Sequence, residues 1–519
     1  MPLANPKVTA ALRAAGVTAG LTPEKLLFVG QQNGGTAVSG ALTQNILADG
    51  AEDTLFGADS PLAAAIRRAR RRNGVTQFDA IGLDDNGAGN DASGDFTVGS
   101  GPATEDGTLE VYVGSKKFNA YTIAVSDTDT ATIVGDAIEA AINADPTAMV
   151  TATNTAGNVV LEAKNAGTFG NTIGLKVDGA VGGLTVSIGI MRLGATDPVL
   201  TGVFDVVGNE RYQGIVWQFD QDLAELTDFL DPRFNVTNNI LDGRGFVGMT
   251  DTFANHLTAL GTENSRSLSI NTDKEIDDTA RHEGPAILEI PFVKVAEFAA
   301  IRALRRTEDA TLGDLVISRS ARDSFGGPWQ NSKPYFNTPF PDLLVPDAGD
   351  SFTDVEIDQL RDAGGWVIDA NRPFTAVIAG EVVTTYKTDS AGNPDPTFGY
   401  LNYVDTSTAA REYIVNNTRA KYPQYRATSG ALINDVDSAN EASVAAFVAE
   451  LNADLGDLGL VNTGVGSIDG VLVDFDKLFR ENLTVSLNPV TGKFSIAAKL
   501  YIVVQFRDAT YDLAIAFEV

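Results

Sequence analysis

Between residues 199 and 270, short apolar runs alternate with segments whose apolar residues fall at helical spacing, and few chain plans accept that order. Ile215 to Gln218 is apolar, Leu223, Leu226 and Leu230 follow three or four apart, and Phe246 to Met249 is apolar again. Phe253, Leu257 and Leu260 repeat the helical spacing before Leu268 and Ile270 return to a strand pattern. Side chains three and four apart share a helix face, whereas a short unbroken apolar run reads as a strand covered on both sides. Strand and helix in turn predict an α/β layer structure around a largely parallel sheet. Two earlier strands fit the same sheet: Lys25 to Val29, closed by Gly30, and Phe78 to Leu83. The helix between them starts at Ser60 and Pro61 and ends at Gly74.

At Asp84 the character changes. Asp84 to Asp91 is rich in Asp, Asn and Gly and reads as a linker, and the chain beyond it is rich in Thr, Val, Gly and Ala. Strands are expected at Leu109 to Val113, Val150 to Thr153, Val159 to Ala163, Ile173 to Val177 and Leu184 to Ile188, with a helix through Ala131 to Ala141. Residues 84–198 are therefore an inserted β-rich domain inside an α/β core formed by 25–83 and 199–399. Within the second half of that core, Phe292 to Arg306 and Val355 to Ala363 are helical. Gly365 to Ile368 and Ala376 to Tyr386 pair as strands, and a Pro-rich connection separates the two helices. Residues 1–24 form an amino-terminal arm.

The chain closes on three alternating runs. Leu483, Val485 and Leu487 come first, then Phe494 to Phe506, then Tyr511 to Phe517. They assign 400–507 to a carboxyl-terminal α+β domain and 508–519 to a terminal strand, with Asp508 to Thr510 as the link. Tyr511, Leu513, Ile515 and Phe517 share one face of that last strand. A strand this apolar with nothing behind it either folds back into its own sheet or joins the sheet of another chain.

The 519 residues hold 38 Lys and Arg against 68 Asp and Glu, a net charge of -30. That balance repels nucleic acid and anionic membrane surfaces, so neither is an expected partner. No cysteine is present, which excludes disulfides and thiolate metal sites. No continuous apolar stretch of ~18 residues signals a membrane span and no secretory leader is visible.

Candidate chemistry is sparse. The loop Gln31 to Gly35 follows a strand, but it lacks both the G-x-G-x-x-G and the Gly-Lys-Ser/Thr pattern and reads as a turn. Asp84 to Asp95 carries one echo of a calcium repeat, too few oxygens for a site. His256 and His282 are the two histidines, and no G-x-S-x-G elbow accompanies them. No catalytic residue, metal or cofactor is expected. Two basic groups stand out: Arg67, Arg68, Arg70, Arg71 and Arg72 at a helix end, and Arg411, Arg419 and Lys421 on a helix before Pro423. The first suits either the helix dipole or an acidic neighbouring copy; the second is a solvated face or an attachment surface.

With these elements laid out, the chain resembles the contractile tail sheath proteins of bacteriophages and related injection machines. The resemblance rests on Ala363 to Trp366 leading into Ala376 to Tyr386, then Pro396, Leu401, Asp405 and a helix ending in Lys421, Tyr422 and Pro423. Leu26 to Gly30, Leu55 to Gly57, Ser60, Leu62 and Gly167 to Asn171 add to it. Residues 1 to 24 depart from it, lacking the family's Pro-Gly-Val-Tyr start.

The resemblance implies a subtilisin-like α/β core without proteolytic activity, an outward-facing inserted domain and a carboxyl-terminal domain lying inside against the tail tube. Terminal strands would be exchanged between copies, with Tyr511, Leu513, Ile515 and Phe517 on the donated strand and Arg411, Arg419 and Lys421 facing the tube. It also implies a helical homo-oligomer of stacked rings, with tail tube, baseplate and tail terminator proteins as partners. Such a sheath is built in the host bacterial cytoplasm and contracts during genome delivery. A secreted surface-layer or adhesion protein is the alternative, but a secretion signal and repeated calcium loops should mark it.

Overall fold

The computed structural model describes residues 24–46, 48–114, 120–234, 241–276, 284–285, 287–308, 335, 338–344, 346, 349–372, 375–421, 426–427, 438–457, 461, 463–468, 471–488, 493–502 and 509–516. The architecture is mixed α/β with several sheets. Ten strands form the largest, in the order Pro339–Phe340, Thr375–Ala379, Gly365–Arg372, Leu268–Ile276, Gly245–Asp251, Gly214–Trp217, Lys25–Gln31, Gln77–Leu83, Leu42–Thr43, with Gly284–Pro285 added beside Leu268–Ile276. The six strands from Gly365–Arg372 to Gln77–Leu83 run parallel. Antiparallel strands of two to five residues close both edges.

Unbroken apolar runs make this sheet because both of its faces are covered. Leu26, Phe28, Phe78, Ala80, Val216 and Phe246 turn to one side, where Pro61–Arg72 and Pro291–Glu308 pack. Leu27, Val29, Ile81, Ile215, Trp217 and Val247 turn to the other, against Ala224–Leu230, Phe253–Thr262 and Asp354–Asp362. The helices begin where their sequences say. The hydroxyls of Ser60, Thr252 and Thr353 accept from backbone amides in the first turn, and Glu356 completes a capping box with Thr353.

Among the described residues, 91–192 contribute no strand to this sheet. They make a four-stranded sheet in the order Leu184–Arg192, Asp91–Ser100, Asn158–Ala166, Val150–Thr155, and a three-stranded one around Gly107–Val113. Asp91–Ser100 is a strand not among those expected from the sequence, and it begins at the end of the expected linker. Its inward positions include Ala92 and Gly94, and Gly94 is required there because a Cβ would stand 2.9 Å from Met191 Sδ. The edge strand Val150–Thr155 is blocked: Asn143 donates to Ala152 O at 2.8 Å and accepts from Ala152 N at 2.9 Å, standing in for a neighbouring strand.

The carboxyl-terminal region begins with the 21-residue helix Leu401–Lys421, about 31 Å long. Tyr413 and Ile414 on it pack with Val444, Phe447, Val448 and Leu451 of Glu441–Asp457 and with Phe494, Ile496 and Ala498 of Lys493–Ile502. That last strand lies between Thr484–Asn488 and Ala509–Ala516, antiparallel to both.

Two boundaries differ from expectation. The strand expected to run to Tyr386 stops at Ala379, because Gly380 takes φ +87° and turns the chain out of the ladder. The expected link at Asp508 to Thr510 is displaced, since Ala509 and Thr510 already pair with Ile502 and Tyr501.

Candidate functional site

Open α/β sheets hold ligands where the order of connection reverses, beyond the carboxyl ends of the strands. Here that point falls between Lys25–Gln31 and Gly214–Trp217, and side chains fill it. Gln31 N donates to Gln218 Oε1 and Gln218 Nε2 donates to Gln31 Oε1, both at 2.7 Å. Gln31 Nε2 reaches out of the sheet to Asp85 Oδ1 at 2.7 Å and to the Ala166 carbonyl at 2.6 Å. A Cβ on Gly30 would stand 2.6 Å from Gln218 Oε1, so glycine is what lets this pair close.

The segments leading into and out of residues 91–192 are clamped at the same place. Asp85 accepts from Asn165 Nδ2 and Ala166 N, each at 2.9 Å, and Asp197 accepts from Thr168 N and Oγ1, each at 2.7 Å. These carboxylates are engaged by protein donors, which makes Asp85 and Asp197 a structural joint. A cleft of about 290 Å³ remains between the two parts, bordered by Thr168, Thr172, Met191, Asp220 and Thr250. Burial pushes the Asp220 carboxyl up to about 6. Among the described residues no three His, Asp or Glu side chains gather as a metal site. The loop after Gln31 is likewise structural: Gly35, at φ +87°, lies where a Cβ would meet Leu55 O at 2.2 Å.

His256 is fully buried, and its Nε2 lies 2.7 Å from the Asp273 carbonyl oxygen. Burial holds the imidazole near pKa 4, hence neutral. Beside it Lys294 is buried against Asp273, and burial pushes its pKa well down. His282 lies outside the described residues.

A larger buried charge network joins the core to Leu401–Lys421. Asp405, fully buried, accepts from Arg302 Nε at 2.8 Å and lies 3.4 Å from Arg244 Nε and 3.6 Å from Arg306 Nη1. Burial alone would raise its pKa, but Arg302 and Arg306 overcome that and hold it at about 2. One turn on, Thr408 Oγ1 donates to Asp242 at 2.6 Å and accepts from Arg244 at 2.7 Å. Arg211 donates to Glu412 at 3.0 Å.

No family model matches the chain. Over 380 residues it is 25% identical to the Mu-like prophage FluMu tail sheath protein of Haemophilus influenzae, spanning 72% of this chain and 70% of that one. The chain is a homologue of a phage tail sheath protein. Two solved sheath tail proteins align over nearly the whole chain. That of Desulfitobacterium hafniense does so at 10% identity, TM-score 0.49, over 96% of this chain and 97% of its own. That of Listeria innocua does so at 12% identity, TM-score 0.45, over 97% and 99%.

In this sheath homologue the residues singled out from sequence scatter. Arg411 is turned inward: its guanidinium lies 3.7 Å from Asp242 Oδ2 and 4.4 Å from the centre of the Phe234 ring, with 11% of the side chain exposed. That corrects the expectation of an outward contact, because a charge already paired in the interior is not displayed to a partner. Lys421, ten residues on, is exposed; Arg419 lies on the same helix, its side chain outside the described residues.

The backbone of Ala509–Ala516 pairs within its own chain, with Tyr511 opposite Leu500, Leu513 opposite Ala498 and Ile515 opposite Ile496. Phe517 lies outside the described residues.

Of the arginines after Ile66, Arg70, Arg71 and Arg72 stand in the last turn of Pro61–Arg72, where the helix dipole favours positive charge. Arg67 binds Asp53 at 2.6 Å, Arg68 pairs with Glu289 and Glu297, Arg70 lies 3.9 Å over Phe78, and Arg72 pairs with Glu297, so four of the five grip their own fold. Sequence reading missed the Asp405 network altogether, since Arg302 and Asp405 are 103 residues apart.

Proposed function

We propose that this chain is the structural subunit of a contractile tail sheath. It polymerises around the tail tube as a helical homo-oligomer of stacked rings and contracts to drive the tube through the host envelope. The observation that carries the reading is the tail sheath relative, whose similarity spans most of both chains. Baseplate and tail terminator proteins would meet the ends of such a sheath, built in the host cytoplasm and carried in the virion.

The fold supports the finer parts of the reading. A largely parallel sheet with helices on both faces suits a subtilisin-like core, and the Gln31–Gln218 pair filling its crevice suits a core that does no catalysis. We assign residues 25–83 and 199–399 to that core, 84–198 to an outward domain and 400–507 to an inner one.

Edges support the inner assignment. The Val150–Thr155 edge is blocked by Asn143. By contrast, among the described residues Ala509–Ala516 has one neighbouring strand, and Val465–Ile468 with Val471–Asp474 forms a two-stranded hairpin. On one face of that hairpin Val465 and Leu472 are 71% and 80% exposed. Open edges and bare apolar positions suit association. In a sheath, Ala509–Ala516 would pair with the Lys493–Ile502 strand of the next copy in the register it takes here, and Lys421 with Arg419 would face the tube.

Negative-stain microscopy of the purified chain tests the proposal. Striated tubes are expected. Flat sheets would point to a surface layer, and particles that stay monomeric at high concentration with purified tubes present would remove the sheath reading.

A further inference from the structure

Glu24 directly precedes the central strand Lys25–Gln31, and its carboxylate is buried in the network that seats Leu401–Lys421. Its Oε1 lies 3.2 Å from Arg306 Nη1 and its Oε2 3.8 Å from Arg302 Nη1. The same two guanidiniums hold Asp405, and Arg302 also donates to the Gln213 carbonyl at 3.2 Å. Gln213 Oε1 in turn accepts from Lys25 N at 2.8 Å. The approach to the sheet and the base of the long helix thus share their counter-ions.

Asp405, Glu24, Asp242 and Glu412 are the carboxylates of this network, set against the guanidiniums of Arg302, Arg306, Arg244, Arg411 and Arg211. Among these groups positive charge already exceeds negative by one. Withdrawing Glu24 leaves Arg302, Arg306 and Arg244 crowded on Asp405, where little water screens their repulsion. We infer that Glu24 is a latch that couples the chain's entry into the sheet to the seating of Leu401–Lys421, so that displacing it loosens the base of that helix. The coupling is a property of the subunit and holds whatever the subunit assembles into. Because coupling free energies are reciprocal, loosening the helix must also release Glu24.

Hydrogen exchange on the full chain tests this. Glu24→Gln should speed exchange of amides in 401–412 about tenfold, within the usual range for coupled sites. Amides of Pro61–Arg72, whose arginines use other carboxylates, should keep their rates. Glu24→Asp, which keeps the charge on a shorter stem, should fall between wild type and Glu24→Gln, and it serves alone should the amide variant not fold. In the reverse direction, Thr408→Val should speed exchange at Lys25 and Leu26. Unchanged rates in 401–412, or equal acceleration in both helices, would overturn the latch.

Discussion

His256 shows how a buried imidazole makes the stability of a fold depend on pH. Its pKa is near 4 in the fold and about 6.5 when unfolded, so above pH 6.5 it has no effect on the balance. Between those values the unfolded chain takes up a proton that the fold refuses, and stability falls as pH falls. The loss from pH 7.5 to pH 5 is about 2 kcal/mol. His256→Gln should remove it, so urea midpoints of wild type and variant should converge on acidification; parallel decline of the two would clear the imidazole. Asp405 titrates on the other side of the same logic. With its pKa held at about 2, the stability it contributes is fully present above ~3.9 and is lost as pH falls through 2. Asp405→Asn leaves three guanidiniums around a neutral amide and should cost about 3–5 kcal/mol in urea unfolding. A drop under 1 kcal/mol would mean that water reaches the cluster.

At the scale of elements, Ala509–Ala516 is the most exposed to test. In this subunit it completes a three-stranded sheet, yet Lys493–Ile502 already packs Phe494, Ile496 and Ala498 on the helices without it. Truncation after Arg507 should therefore leave a folded monomer with normal circular dichroism that cannot polymerise, and sheath-like tubes from the truncated chain would end the exchange idea. That sheet was legible in the sequence because each run alternates cleanly. The helices with polar starts were legible too: Ser60 at the cap and Pro61 behind it mark Pro61–Arg72 within two residues of its end. Asp91–Ser100 was not, because Ala92 and Gly94 carry little hydrophobic signal and the close packing of Gly94 depends on Met191, 97 residues away. The crevice was half legible. Gly30 announced a turn, but nothing near it announced Gln218, which reaches it only once two distant strands lie side by side. Charge was misleading for the same reason: a run of arginines reads as surface until Glu289 and Glu297 are folded beneath it.

For the whole molecule the question is how separable its parts are. If residues 84–198 were a self-contained insertion, 91–195 could be removed and leave a soluble chain. The packing argues otherwise. Gln31, Gln32 and Asp85 all hold partners in Asn165 and Ala166, Lys164 pairs with Asp59 at 2.9 Å, and Gly174 lies against Leu288 closely enough that a Cβ would stand 2.8 Å from its Cα. Deleting 91–195 across a Gly-Ser bridge should orphan those buried groups and lower the unfolding midpoint sharply or send the chain into inclusion bodies. A deletion variant melting with the parent would restore the detachable reading. The sheet order carries a last consequence, for synthesis on the ribosome. Lys25–Gln31 lies between Gln77–Leu83 and Gly214–Trp217, so one flank is closed early and the other waits for more than 180 further residues. At about 5–20 residues per second that wait is roughly 10–40 s. Through it a strand whose Leu26, Leu27, Phe28 and Val29 end fully buried stays half-dressed, and whatever shields it then, whether the nascent β-rich unit or a chaperone, decides how much of the chain is ever born soluble.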